Sequence, residues 1–120
     1  MSEHDIQTVF FDILRLNEVR YPLLRWVFAI PNGSHRHVAV AAKLKREGVK
    51  RGIMDVFCCF PMMDNHGLWL EFKHGKNKLT TEQKEFQSAM ETVGYKTAVC
   101  YSAIEAIREI ESYLNIRLSK

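Results

Sequence analysis

The segment Leu68-Trp69-Leu70-Glu71-Phe72-Lys73 limits what this chain can fold into more than any other stretch. Its period-two alternation makes it a strand, with Leu68, Leu70 and Phe72 on one face and Trp69, Glu71 and Lys73 on the other. The apolar face has to be covered. The second face carries an acid and a base about 6.5–7 Å apart along the strand, costly unless they are paired or used. Residues 53–60 just upstream are β-branched and aromatic, and residues 61–67 suit a hairpin loop, so the two strands are expected to pair antiparallel. Such a hairpin brings Asp55, near the start of the first strand, opposite the Glu71–Lys73 end of the second, within reach of one ion. The simpler alternative is a surface ion pair of Lys73 with Glu71 or Asp55 on an exposed strand face.

The remaining elements follow from periodicity and stop signals. Ile6, Val9, Phe10, Ile13 and Leu14 predict an amphipathic helix over residues 3–17, capped by Ser2 with Asp5 three residues on. Trp26-Val27-Phe28-Ala29-Ile30 predicts a buried strand stopped by Pro31-Asn32-Gly33. A second helix is expected over residues 35–47, with Ser34 as its cap and Gly48 as its stop. Thr80 opens a third that runs to Val93 before Gly94, with Phe86, Ala89, Met90 and Val93 on one face. Residues 95–101 form a strand. Ser102 and Glu105 make a capping box for a last helix that buries Ala103, Ile107, Ile110 and Leu114. The order is α-β-α-β-β-α-β-α, an α/β fold whose mixed β-sheet is flanked by helices. The strand–helix–strand unit from residue 68 to 101 makes its two strands parallel, joined by a right-handed crossover.

Composition sets the broad class. The 120 residues are expected to form one domain, 1–120, and 47% hydrophobic with 26% charged content argues against disorder. No apolar run approaches the roughly 20 residues that cross a bilayer, and the acidic start lacks a signal-peptide pattern, so a cytoplasmic protein is expected. Cys58, Cys59 and Cys100 sit in apolar runs without metal-ligand spacing and read as buried thiols. The net charge of +3 divides unevenly: residues 20–84 carry +7 and the remainder −4. A basic middle between acidic ends points to an anionic partner, most often nucleic acid, or to a solvated lysine-rich surface.

Inside that basic middle, Asp55, Glu71 and a backbone carbonyl are hard oxygen ligands of the kind that suits magnesium or manganese. A lysine beside such an ion can hold an attacking water and offset charge growing on a phosphate. Hydrolysis of a phosphodiester is the chemistry this set favours.

These residues resemble a known family. Asp55 followed by a hairpin to Glu71-Phe72-Lys73 looks like the D…(D/E)-x-K signature of the PD-(D/E)XK nuclease superfamily, and within it the VRR-NUC (virus-type replication-repair nuclease) family. Small members of that family read approximately N-G, then G-V-x-x-G-x-x-D, then E-x-K, then G-x-L-[ST]-x-x-Q. The corresponding blocks are Asn32-Gly33, Gly48 to Asp55 with Val49 and Gly52, Glu71-Phe72-Lys73, and Asn77-Lys78-Leu79-Thr80-Thr81-Glu82-Gln83. The resemblance spans about residues 3–105.

The resemblance implies a restriction-endonuclease-like core in which Asp55, Glu71 and the Phe72 carbonyl bind Mg2+ or Mn2+. It implies that Lys73 positions or activates water and that Gln83 supports the site and the bound nucleic acid. Glu3 matches an acidic residue of the first helix that is linked to the metal or to its surroundings. Met54 stands where proline is usual and Asn77 where glycine is usual, so the loop after Lys73 is expected to turn differently. Thr80 and Gln83 also make a capping box, and Glu3 also complements a helix dipole, so each has a structural reading as well.

Lys43, Lys45, Arg46, Lys50 and Arg51 precede Asp55, and Lys76 and Lys78 follow Lys73, so both basic segments flank the candidate ligands. Asn32, Ser34 and Arg36, with His35 and His37, form a polar loop and helix start able to hydrogen-bond phosphate. No base-reading helix or aromatic stacking platform is evident, so recognition is expected through the shape of the sugar-phosphate backbone. The resemblance implies a DNA endonuclease acting as a homodimer on branched DNA such as four-way (Holliday) junctions, in repair or recombination, in a phage or bacterial setting. The alternatives are a non-catalytic DNA-binding module on a nuclease-like scaffold and an interaction protein whose basic face meets an acidic partner.

Overall fold

The computed structural model describes residues 1–31 and 38–120. Its elements are α1 (Glu3–Asn17), a 3-10 turn (Pro22–Trp26), β1 (Val27–Ala29), α2 (Val38–Arg46), β2 (Val56–Cys58), β3 (Leu68–Phe72), α3 (Thr81–Thr92), β4 (Lys96–Cys100) and α4 (Ala103–Leu114). The four strands form one sheet in the order β1-β2-β3-β4. β1 with β2 and β2 with β3 are antiparallel, while β3 with β4 is parallel. The expected mixed sheet flanked by helices is therefore present.

Alternation divides the sheet into two unlike faces. Val27, Val56, Cys58, Leu68, Leu70, Phe72 and Cys100 point into the main core with Ile6, Phe10 and Leu14 of α1 and Ala106, Ile107 and Ile110 of α4. Phe10 of α1 meets Phe72 at 5.5 Å between ring centroids. Asn17, buried at the end of α1, locks the C-terminal segment by donating to the Ser119 carbonyl and accepting from its N–H, both at 2.7 Å. On the other face, Trp69 meets Phe86 of α3 edge-on, and Gln87 of α3 donates to Thr97 of β4.

The caps form as their residues dictate. Ser2 and Asp5 make a reciprocal capping box on α1, as do Thr80 and Gln83 on α3. Ser102 caps α4, but the Glu105 carboxylate accepts from the Tyr101 N–H rather than closing the box on Ser102.

Several expectations change. Residues 26–30 are not a buried strand: Pro22 opens a 3-10 turn that absorbs Trp26, and the three-residue β1 lies at the sheet edge with only Val27 buried. The strand expected over residues 53–60 is regular only at Val56–Cys58. The apolar face read on α3 is thin, since Phe86 and Met90 are half-buried while Ala89 and Val93 are exposed. Cys58 and Cys100 are buried, and burial pushes both thiols up, Cys100 to about 12. Cys59 is exposed. The described part of the second helix starts at Val38, so its expected start at residues 35–37 and its Ser34 cap lie outside the described residues.

Candidate metal and nucleic-acid site

The hairpin register decides where the acids meet. Val56 pairs with Leu70, which sets Asp55 beside the Glu71–Phe72 end of β3. Asp55 is held from both sides. Its carbonyl accepts from the Ile30 N–H at 2.8 Å, and its Oδ2 accepts from the Phe72 N–H at 2.8 Å.

The Phe72 carbonyl is aimed by the same pairing. The Lys73 N–H donates to the Cys100 carbonyl at 3.0 Å, towards β4. In a trans peptide the N–H and C=O point to opposite sides, so the Phe72 carbonyl points away from β4, towards Asp55.

Glu71 and Lys73 are the charged pair expected on the second face, but the exposed-surface reading fails. Glu71 is 2% exposed and Lys73 7%. Lys73 Nζ lies 3.5 Å from Glu71 Oε2, and Gln83 Nε2 donates to the same oxygen at 3.0 Å. Gln83 thus holds both of its readings at once. Its Oε1 accepts from the Thr80 N–H at 2.9 Å while its amide reaches Glu71.

Burial pushes Glu71 up to about 8; the Asp55 charge adds to the rise and the Lys73 charge opposes it. Burial also raises Asp55, against the lowering by the Phe72 N–H. The two carboxyls lie within hydrogen-bonding reach of each other. Glu71 Oε1 is buried without a partner, and so is Trp69 Nε1, two residues away on the same strand face. Two carboxylates side by side with an orphaned oxygen need a proton or a cation between them. The donors are hard oxygens, so a divalent cation of the magnesium or manganese kind fits. Among the described residues no three His, Cys, Asp or Glu side chains gather into a metal-holding group, so a third protein ligand would come from backbone.

Glu3 stands apart from that pair but is electrostatically linked to it. Its charge raises Asp55, and its Oε2 accepts from Asn77 Nδ2 at 3.4 Å. The Asn77 carbonyl in turn accepts from the Tyr101 hydroxyl at 2.8 Å. The left-handed backbone after Lys73 falls on Gly75, with φ +60°, so position 77 does not require glycine. Met54, where proline was the family expectation, is fully buried.

The basic segments lie on the surface. Lys43, Lys45, Arg46, Lys50, Arg51, Lys76 and Lys78 are all exposed. The loop after α2 is pressed against the start of α3: a Cβ on Gly52 would stand 2.8 Å from the Glu82 carbonyl carbon, and Gly52 has φ +84°. Lys50 and Arg51 are thereby anchored beside the helix that carries Gln83. Asn32, Ser34 and Arg36 lie outside the described residues.

Sequence reading missed the aromatic character of this sheet face. Phe28, Phe57 and Trp69 occupy one register row on three strands. Each is the single aromatic its strand presents on this face, and only the pairing reveals the row.

No family model and no curated protein matches the sequence. Among solved structures, a VRR_NUC domain protein superposes with a TM-score of 0.77 over 97% of this chain and 90% of its own, at 27% sequence identity. That likeness supports assigning the chain to the VRR-NUC family. The same likeness supports a nuclease-like domain. The VRR-NUC neighbour also accounts for the element order, since it matches nearly the whole chain rather than the hairpin alone. Among the described residues no helix is long and apolar enough to cross a membrane.

Proposed function

We propose that this VRR-NUC protein is a metal-dependent DNA endonuclease that hydrolyses phosphodiester bonds, selective for branched DNA such as four-way junctions and working as a homodimer. The observation that carries the reading is the half-buried Asp55 beside the buried Glu71, with its orphaned oxygen, next to Lys73 and Gln83. Two acids set side by side with one of them buried are costly, and folds retain such costs mostly at functional sites.

Asp55, Glu71 and the Phe72 carbonyl would hold Mg2+ or Mn2+, which supplies positive charge to polarise the phosphate and to acidify water. Gln83 keeps the Glu71 carboxylate turned into the site through its hydrogen bond to Oε2. Lys73, fixed by burial and by its contact with Glu71, orients the attacking water and offsets charge developing on the phosphate. Glu3 tunes Asp55 from the first helix. The exposed Lys43, Lys45, Arg46, Lys50, Arg51, Lys76 and Lys78 hold backbone phosphates, and Asn32, Ser34 and Arg36 add hydrogen bonds to them. Two sites related by a two-fold axis would address two strands of a branch.

The test is cleavage of labelled junction, flap, duplex and single-stranded DNA with magnesium or manganese. Asp55→Ala, Glu71→Ala and Lys73→Ala should each abolish cleavage while binding survives. Turnover retained in clean preparations of all three variants would overturn the reading. Binding without cleavage by the unmodified protein would instead make it a non-catalytic DNA-binding module.

A further inference from the structure

The row across the second sheet face is built from four strands. Phe28 pairs with Phe57, Phe57 with Trp69, and Trp69 with Thr97. Phe57 stacks on Trp69 with centroids 4.2 Å apart and planes 26° from parallel. Phe28 meets Phe57 edge-on at 5.9 Å. At the inner end Phe86 of α3 closes the row over Trp69. The outer end is open: Phe28 is 41% exposed on the edge strand.

This row lies next to the acid row. Asp55 is two residues from Phe57, and Glu71 two from Trp69, which is about 7 Å along each strand. That is about one step of an unstacked nucleotide chain. Just before Phe28, the exposed Trp26 carries the Arg25 guanidinium 4.8 Å over its ring, placing a cation beside the open end. The exposed area is one or two rings, far less than the roughly 800 Å2 per partner of a stable protein interface. A flat, apolar surface one ring wide, with a cation beside it, matches a single nucleobase and its phosphate.

We propose that the Phe28 end of this row is a stacking site for an unpaired nucleobase, one nucleotide away from the phosphate held at the Asp55–Glu71 pair. Its distance from the cut rests on the nuclease reading above; the stacking itself requires only that the strand is bound. Base-paired nucleotides cannot offer a free face to the ring, so the site favours DNA with unpaired positions over continuous duplex.

The experiment uses the full chain with a chelator present, so that nothing is cut, and junction and single-stranded oligonucleotides carrying 2-aminopurine at successive positions. Binding should quench the fluorophore severalfold at one position. Phe28→Ala should abolish that quenching and weaken binding about tenfold, whereas Phe28→Tyr should retain both. Because Phe28 lies at an open edge, unchanged circular dichroism and melting of the alanine variant would show that it folds. Unchanged quenching and affinity in Phe28→Ala would overturn the proposal. So would a change from dimer to monomer in sedimentation with quenching intact, which would assign the surface to a second copy of the chain. Phe28-dependent quenching in a protein that never cleaves DNA would defeat the nuclease reading and leave the stacking site standing. Cleavage with Phe28-independent quenching would do the reverse.

Discussion

Glu71 concentrates the tension of the site in one carboxyl group. Without metal it takes up its proton at about pH 8 when folded, against an ordinary value of 4.5. The folded state therefore binds more protons than the unfolded state between those limits, and the stability Glu71 contributes is complete below about 4.5 and is lost as the pH rises towards about 8. Glu71→Gln keeps the shape and cannot ionise. In chelator, its melting temperature should match the unmodified protein near pH 4.5 and exceed it increasingly up to about pH 8. A difference that does not change with pH would contradict the burial cost. Gln83 allows a sharper separation. Gln83→Glu preserves the capping box with Thr80 but turns the donor facing Glu71 into an acceptor. We expect helix content to hold and cleavage to fall at least about tenfold, the effect of losing one hydrogen bond to a charged group. Equal cleavage rates would reduce Gln83 to a cap.

Elements explain why the two ligand strands meet so closely. Residues 48–52 turn back against the first turn of α3, and Gly52 occupies a left-handed conformation where any Cβ would collide with Glu82. Gly52→Ala should cost about 2 kcal/mol or more, read as a lower melting temperature, and should shift the start of β2 that carries Asp55. An alanine variant as stable as the parent would show that the contact can relax. The same elements mark how far the sequence could be read. Alternation in residues 68–73, the stop at Gly48 and the three Ser or Thr caps are local signals, and the structure bears them out. The acid pairing was legible because one hairpin connects both strands. What escaped was non-local. Residues 26–30 carry the apolar content of a core strand, yet their position at the sheet edge, set by pairing order, leaves Phe28 and Ala29 exposed. The aromatic row was hidden for the same reason, since its rings come from residues 28, 57 and 69.

On the scale of the whole molecule, the fold separates two jobs. One sheet face, with α1 and α4, is the stabilising core; the other holds buried charge and half-open aromatics. The basic residues before Asp55 and after Lys73 flank the strands of that second face in sequence, and they supply most of the basic charge behind the +7 of residues 20–84. If these residues neutralise DNA phosphates as proposed, counterion release should make affinity fall steeply with salt. The double substitution Lys50→Gln with Arg51→Gln should flatten the dependence of log affinity on log salt by roughly one unit for each phosphate that is no longer neutralised. It should leave the melting temperature unchanged. An unaltered slope would remove these two residues from the interface.

Whether Asp55 and Glu71 hold a divalent cation can be tested without knowing which DNA is the substrate. The measurement is calorimetric titration of Mn2+ into the unmodified protein and into Glu71→Gln at neutral pH. Saturable binding is expected in the first, accompanied by proton release as the metal displaces the proton of Glu71, and no binding above background in the second. Equal binding to both proteins, or none to either, would contradict the account.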